Sequence, residues 1–139
     1  MSYKLRRIVA GAIALIVLVP PGTALRASSV VEFRSPSGGI GCEQDDQFLR
    51  CDVKGGVVPL PPQPKSCQLD WGQGLEMGRT GTATVVCAGD TALGGPIVVR
   101  YGTTWRRDGF ACASSTNGMR CKNTVGHGFF ISRGSAHTF

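Results

Sequence analysis

Beyond residue 28 the chain alternates short β-branched, aromatic and other apolar runs with clusters of Gly, Pro, Asn, Asp and Ser. Apolar positions do not recur at helical spacing over any dozen residues, so no amphipathic helix is expected. β-rich runs bounded by turn residues predict strands instead. They fall at Val30–Ser35, Ile40–Gln44, Phe48–Val53, Thr82–Ala88, Ile97–Tyr101, Phe110–Ala113, Met119–Asn123 and Phe129–Ser132. Turn chemistry separates them at Ser35 to Gly39, Asp45-Asp46, Ala88 to Asp90, Asn117-Gly118 and Gly126 to Gly128. Val57 to Lys65 carries Pro59, Pro61, Pro62 and Pro64. Proline lacks the amide donor that a helix interior or central strand needs. This stretch therefore reads as a stiff, extended crossing between two halves of the domain, rather than as a proline-rich ligand. Leu69 to Gly78, with Trp71, is assigned no strand. The expected fold class is a small all-β domain.

The amino terminus reads differently. Lys4, Arg6 and Arg7 precede an apolar run from Ile8 to Val19, which Pro20-Pro21 stops. A spanning helix needs about 20 apolar residues, whereas a signal-peptide core needs about 7–15. Residues 1–27 are therefore expected to be a signal peptide, cleaved after Ala24 or Ala27, leaving a single secreted domain over residues 28–139. Membrane contact is expected only through the signal if it stays uncleaved. No Cys lies near the cleavage region, which argues against a lipid anchor.

Export changes the charge balance. The whole chain has 15 Lys plus Arg against 9 Asp plus Glu, a net of +6. Cleavage after Ala24 removes Lys4, Arg6 and Arg7 and leaves +3; cleavage after Ala27 also removes Arg26 and leaves +2. The longest remaining basic run is Arg106-Arg107, and no nucleic-acid-binding motif is present, so nucleic acid is not an expected partner.

Six cysteines lie beyond the signal: Cys42, Cys51, Cys67, Cys87, Cys112 and Cys121. An even number in a small exported chain predicts a disulfide framework. Structural zinc sites use ligand pairs about two to four residues apart. Here eight residues separate the closest cysteines, and His127 and His137 stand at no ligand spacing from any of them. No metal or other cofactor is expected.

Val31–Val53 aligns with Phe110–Ser132 as a weak internal repeat. Ser35, Gly39 and Cys42 then match Ser114, Gly118 and Cys121. The alignment predicts two pseudo-repeated three-stranded meanders. In one, Cys42 lies between Phe33 and Cys51; in the other, Cys121 lies between Cys112 and Phe130. Six Cys allow 15 pairings. A four-residue loop over Ser115 to Gly118 puts Ser114 opposite Met119, Ala113 opposite Arg120, and Cys112 opposite Cys121. A loop over Asp45 to Phe48 does the same for Cys42 and Cys51. Directly opposed Cα atoms are about 4.5 Å apart in a non-hydrogen-bonded pair, within disulfide reach. The expected pairs are Cys42–Cys51, Cys112–Cys121 and, from what remains, Cys67–Cys87.

Several segments carry a family resemblance: Phe33 to Cys42 (F-R-S-P-S-G-G-I-G-C), Arg50-Cys51, Cys87 to Asp90, Tyr101 to Thr104, and Gly126 to Arg133. Together they span nearly the whole secreted part. The chain resembles a group of small secreted actinobacterial proteins classed as a domain of unknown function. Gly39 stands where that group is expected to favour Asn. The resemblance implies export and a disulfide-bonded single domain, and transfers no catalytic residue.

Candidate chemistry is sparse. A nucleophile needs a base in reach and a group to orient that base. Only Ser132, His127 and Asp90 could supply these, and no Gly-x-Ser-x-Gly elbow is present. His127 between two glycines reads as a turn residue. Glu43, Asp45 and Asp46 read as a solvated hairpin tip, because the ligand ladder of a calcium loop is missing. A carboxylate pair for glycoside cleavage is a three-dimensional property that spacing does not decide. Trp71, Tyr101, Trp105, Arg106 and His127 are the candidate binding residues, since aromatic faces with Arg recognise glycans and aromatic partners. The expected function is a non-enzymatic exported domain, binding or scaffolding at the cell envelope, with a cell-wall glycan or an envelope protein as partner. The alternatives are a small secreted hydrolase, or a cell-wall glycan-binding module using Trp71 and Trp105.

Overall fold

The computed structural model describes Gly22 and residues 29–139. The signal-peptide reading falls, Gly22 apart, outside the described residues. Alternation of apolar and polar side chains organises the rest of the chain into strands. β1 (Val31–Arg34), β2 (Ile40–Gln44) and β3 (Phe48–Val53) form an antiparallel meander. Phe33, Cys42 and Cys51 face one another across its three strands and are fully buried. β4 (Trp71–Gly78) and β5 (Thr84–Cys87) extend the sheet beyond β3, and β6 (Ile97–Val98) pairs parallel to β1. The resulting order is β5-β4-β3-β2-β1-β6.

The second sheet is β11-β10-β9-β8-β7, an antiparallel run of β7 (Thr104–Arg107), β8 (Phe110–Ser115), β9 (Gly118–Lys122), β10 (Gly128–Ser132) and β11 (Ser135–Thr138). No helix is present among the described residues. One hydrophobic core joins the two sheets: Phe33, Leu49, Leu75 and Met77 from the first meet Phe110, Met119, Phe129 and Ile131 from the second. The fold is all-β.

The three disulfides are Cys42–Cys51, Cys67–Cys87 and Cys112–Cys121, with Cα separations of 4.1, 5.8 and 4.0 Å. The first and third join directly opposed residues of neighbouring strands and meet in the centre of the core. There Cys51 Sγ lies 3.8 Å from Cys121 Sγ, and Cys42 Sγ lies 3.5 Å from Met119 Sδ. The sulfurs of Cys51, Cys112 and Cys121 cluster closely enough to suggest a metal site. All three are committed to disulfides, so no thiolate is available to ligate.

The structure departs from the sequence expectations in several places. β4, β7 and β11 are additional strands, and β6 covers only Ile97–Val98 of the segment expected to reach Tyr101. The proline stretch does not carry the chain between halves. It lies in the connection from β3 to β4, neighbours in one sheet. There Val57 N donates to Gly72 O, and Val58 O accepts from Ala136 N of β11. Its Val58–Pro59 peptide is cis. Phe129, not Phe130, lies opposite Cys121. The reason is loop length: Gln44 pairs with Leu49 around a four-residue loop, whereas Lys122 pairs with Gly128 around a five-residue one. One extra residue turns the next strand over, so Phe129 points inward and Phe130 outward. Finally, Glu43 belongs to β2 rather than to the hairpin tip.

Candidate functional site

Three turns and one loop meet at one end of the sandwich. The β1–β2 turn is closed by its own hydroxyls. Ser35 Oγ accepts from Ile40 N at 3.2 Å, and Ser37 Oγ accepts from Gly39 N at 3.2 Å. In the β8–β9 turn, Ser115 Oγ donates to Gly118 O at 3.1 Å. In the β10–β11 turn, Ser132 Oγ donates to Ser135 O at 2.9 Å and accepts from Ser135 N at 3.1 Å. Tyr101 belongs to the loop after β6, anchored where Gly102 N donates to Ser114 O at 2.8 Å. Between them lies a cleft of about 380 Å³, lined by Ser35, Ser37, Tyr101, Thr116, Asn117 and Arg133 among others. Its walls carry hydroxyls, one amide, one phenol ring and one guanidinium, and no carboxylate. Such a lining can exchange hydrogen bonds with a polyhydroxylated or anionic ligand; it includes no carboxylate or imidazole side chain.

The repeat places equivalent serines on the two meanders beside this end. Ser35 Oγ is bonded, whereas its counterpart Ser114 Oγ is buried and has no hydrogen-bond partner. The two serines sit differently in their ladders: Ser35 N donates across its own hairpin to Ile40 O, whereas Ser114 N donates to Thr103 O and Ser114 O accepts from Gly102 N, both away from its hairpin.

A second polar constellation lies on the outer face of the six-stranded sheet. Glu43, Arg50 and Glu76 stand side by side on β2, β3 and β4. Arg50, 3% exposed, makes a two-pronged contact with fully buried Asp52: Nε to Oδ1 at 2.9 Å and Nη2 to Oδ2 at 2.8 Å. It also reaches Glu43 Oε1 at 3.5 Å, Asp90 Oδ1 at 2.9 Å and Asp90 O at 2.8 Å. Asp52 Oδ2 further accepts from Ala92 N at 2.9 Å and Thr91 Oγ1 at 3.2 Å. These bonds fasten residues 88–96, which strap across the sheet from β5 at one edge to β6 at the other. Gly41 permits the crossing, because a Cβ there would strike the backbone of Ala92 and Leu93.

Burial raises the Glu43 carboxyl above its ordinary pKa, and the nearby Arg50 charge only partly offsets this. Glu76 is raised for the same reasons. Burial alone would lower the pKa of Arg50, but hydrogen bonds to Asp52 and Asp90 more than reverse this and keep it charged. Asp90, exposed at the strap, is lowered by its hydrogen bond to Arg50. The arrangement holds a loop in place with a buried, fully bonded guanidinium.

A family model described as "Family of unknown function (DUF6636)" matches residues 12–139. The chain belongs to this family of unknown function. No curated protein and no solved structure matches it.

The candidate binding residues do not share one surface: Trp105 and Arg106 are neighbours on β7 but face opposite sides of the sheet, and Trp71 is on the other sheet. Tyr101 lines the end cleft. Trp71, at the start of β4, donates from Nε1 to Pro61 O at 2.8 Å under the proline loop. Trp105, on β7, stacks on Phe33 with ring centroids 5.0 Å apart and donates to Gln44 Oε1 at 3.0 Å. Both indoles are half-buried with their N–H groups engaged inside the protein. Arg106 projects from the outer face of β7. His127 closes the β9–β10 loop, its carbonyl accepting from Asn123 N at 2.9 Å. Ser132 and His127 lie at opposite ends of β10, and Asp90 is tied to Arg50 on the other sheet. Sequence reasoning missed Arg50 and Asp52. The alternation in Arg50-Cys51-Asp52 was a usable signal: an inward Cys51 forces both charged neighbours onto the same outer face. Arg133 stood out in the sequence only as the end of the Gly126 to Arg133 segment.

Proposed function

We propose that this protein is an exported, non-enzymatic domain that binds at the cell envelope and takes a polyhydroxylated ligand, a saccharide, in the end cleft. The carrying observation is the convergence in that cleft of Ser35, Ser37, Tyr101, Thr116, Asn117 and Arg133, drawn from turns far apart in sequence. Loops set on a rigid scaffold are where binding residues concentrate. Three disulfides suit an oxidising compartment, which supports the reading of residues 1–27 as an export signal. Separation of Ser132, His127 and Asp90 supports a binding role over hydrolysis. In this reading Tyr101 packs against a sugar face and Arg133 donates to ring hydroxyls, while the serines and Asn117 set orientation.

The test is co-sedimentation of the mature exported protein with isolated neutral cell-wall polysaccharide. Tyr101→Ala and Arg133→Ala are expected to weaken binding about tenfold or more, the scale of losing a principal contact. Retained affinity in both variants would remove the cleft from the reading.

A further inference from the structure

The outer face of the five-stranded sheet carries a surface distinct from the cleft. Pairing sets its rows. Arg106, Ala111 and Lys122 lie side by side on β7, β8 and β9. Thr104, Ala113, Arg120, Phe130 and His137 form the neighbouring row across all five strands. Small Ala111 and Ala113 keep the middle low, producing a shallow trough between Arg106 on one side and Arg120 and Lys122 on the other. All three cations are exposed.

Aromatic rings complete the face, and two glycines make room for them. A Cβ on Gly118 would run into the ring of Phe130, and one on Gly128 would run into the ring of Phe139. His137 stacks on Phe130 with centroids 5.4 Å apart. The Arg120 guanidinium sits 3.7 Å above the centre of the Phe139 ring. Packing on aromatic faces limits the freedom of these side chains before any partner arrives, which lowers the entropy cost of binding.

Sign is the decisive feature. No Asp or Glu occurs after Asp108. Asp108 itself is held by Arg107 Nε at 3.0 Å and Gln44 Nε2 at 3.1 Å in the β7–β8 turn, outside the rows. The face therefore presents cations with no carboxylate side chain among them. Rows one strand apart are about 4.8 Å apart, so Arg106 and Lys122 stand about 10 Å from each other, while Arg120 lies about 7 Å along β9 from Lys122. Repeated positive charge over such a span suits a linear chain of repeated negative charge better than a single small anion. Ring faces between the cations suit sugar rings.

We propose that this face binds an acidic polysaccharide, its carboxylates on Arg106, Arg120 and Lys122 and its sugar rings against Phe130, His137 and Phe139. This goes beyond the cleft reading and stands or falls apart from it.

The test uses the mature exported protein with polygalacturonate as probe, dextran as neutral control, and a single-stranded DNA oligonucleotide and phosphatidylglycerol vesicles as competing polyanions. Polygalacturonate is expected to bind, with log affinity falling linearly as log salt rises, as counter-ion release requires. Arg120→Glu with Lys122→Glu, two exposed positions, is expected to weaken it more than tenfold at unchanged melting temperature. Phe139→Leu should weaken it less and leave the salt slope unaltered. Tyr101→Ala, in the cleft, should leave it unchanged. The proposal is overturned by dextran binding that equals polygalacturonate binding and survives Tyr101→Ala, by full affinity in the double charge reversal, or by tighter binding of DNA or vesicles than of polygalacturonate. Self-association without polymer that the charge reversal abolishes would also overturn it.

Discussion

The meander β1–β3 and the meander β8–β10 share an inner face and differ on the outer one. Inside, each presents a cross-strand disulfide beside a fully buried Phe, and the two disulfides touch at the centre of the core. Outside, the first carries Glu32, Glu43, Arg50 and Asp52, covered in part by the strap over residues 88–96. The second carries Arg120, Lys122 and Phe130, and nothing among the described residues straps it. Core packing admits few solutions, because close-packed interiors tolerate little change in volume. A solvent-side row is free to take either sign. The pseudo-repeat therefore shows where fold ends and specific use begins: the shared rows hold the sandwich together, and the divergent rows distinguish its two outer surfaces.

The largest expected effect tests the shared rows. Cys42→Ala with Cys51→Ala, and Cys112→Ala with Cys121→Ala, each open a loop of the same sequence separation, 9. Chain entropy assigns each closure about 3 kcal/mol, and the cavities left in the core add to it. Urea unfolding should return equal losses for the two pairs to within about 1 kcal/mol. Because Cys51 and Cys121 touch, all four substitutions together should deviate from additivity. A marked inequality between the pairs would break the equivalence. The Cys67–Cys87 loop is longer, with separation 20, so its entropic share is slightly greater, but it lies at the edge of the core.

The outer rows come next. Arg50→Met leaves fully buried Asp52 without its charge partner and releases the strap. A loss of about 3–5 kcal/mol is expected. Arg120→Met, on the exposed row of the other meander, should cost within about 0.5 kcal/mol. Equal losses would mean that the outer rows do not differ in structural weight.

The smallest effect concerns pH. Glu76 has its folded-state pKa raised by burial, so the native state holds its proton more tightly than the unfolded chain does. Its favourable contribution is complete below the unfolded carboxyl value and is lost as pH rises through the folded one. Glu76→Gln is therefore expected to raise the melting temperature by a few degrees at neutral pH and to leave it unchanged well below pH ~4.3. A stabilisation that persisted in acid would assign the effect to packing instead. Asp90 runs the other way, since its pKa is lowered and its bond to Arg50 weakens as pH falls through the folded value.

Much of this architecture is legible in the order of the residues. Local rules decide it: turn residues at Ser35 to Gly39 and at Asn117-Gly118, alternation through Arg50-Cys51-Asp52, and an even spacing that leaves Cys112 opposite Cys121. Those rules act over a few residues, so they yield the all-β class, both hairpins and the two cross-strand disulfides; Cys67–Cys87 follows as the pair that remains. One further local signal was available for β7: Asp108-Gly109, with both residues at positive φ, closes a two-residue hairpin between Arg107 and Phe110.

Other features depend on groups distant in sequence. β4 does not look like a strand, because Gly72, Gly74 and Gly78 dilute its β-branched content. Yet Gly74 is required where a Cβ would strike the Cys51 carbonyl and Asp52 on β3. The end cleft exists only because three turns and the Tyr101 loop arrive at one corner. Nor does spacing reveal that the strap over residues 88–96 would be locked by Arg50 from 40 residues away. Hairpins, cysteine pairs and the absence of acidic residues after Asp108 were set by the sequence itself, because short-range sterics and composition govern them. The tertiary structure alone decided which polar side chains share a surface and which charged group is buried, because burial and proximity are properties of the packed chain.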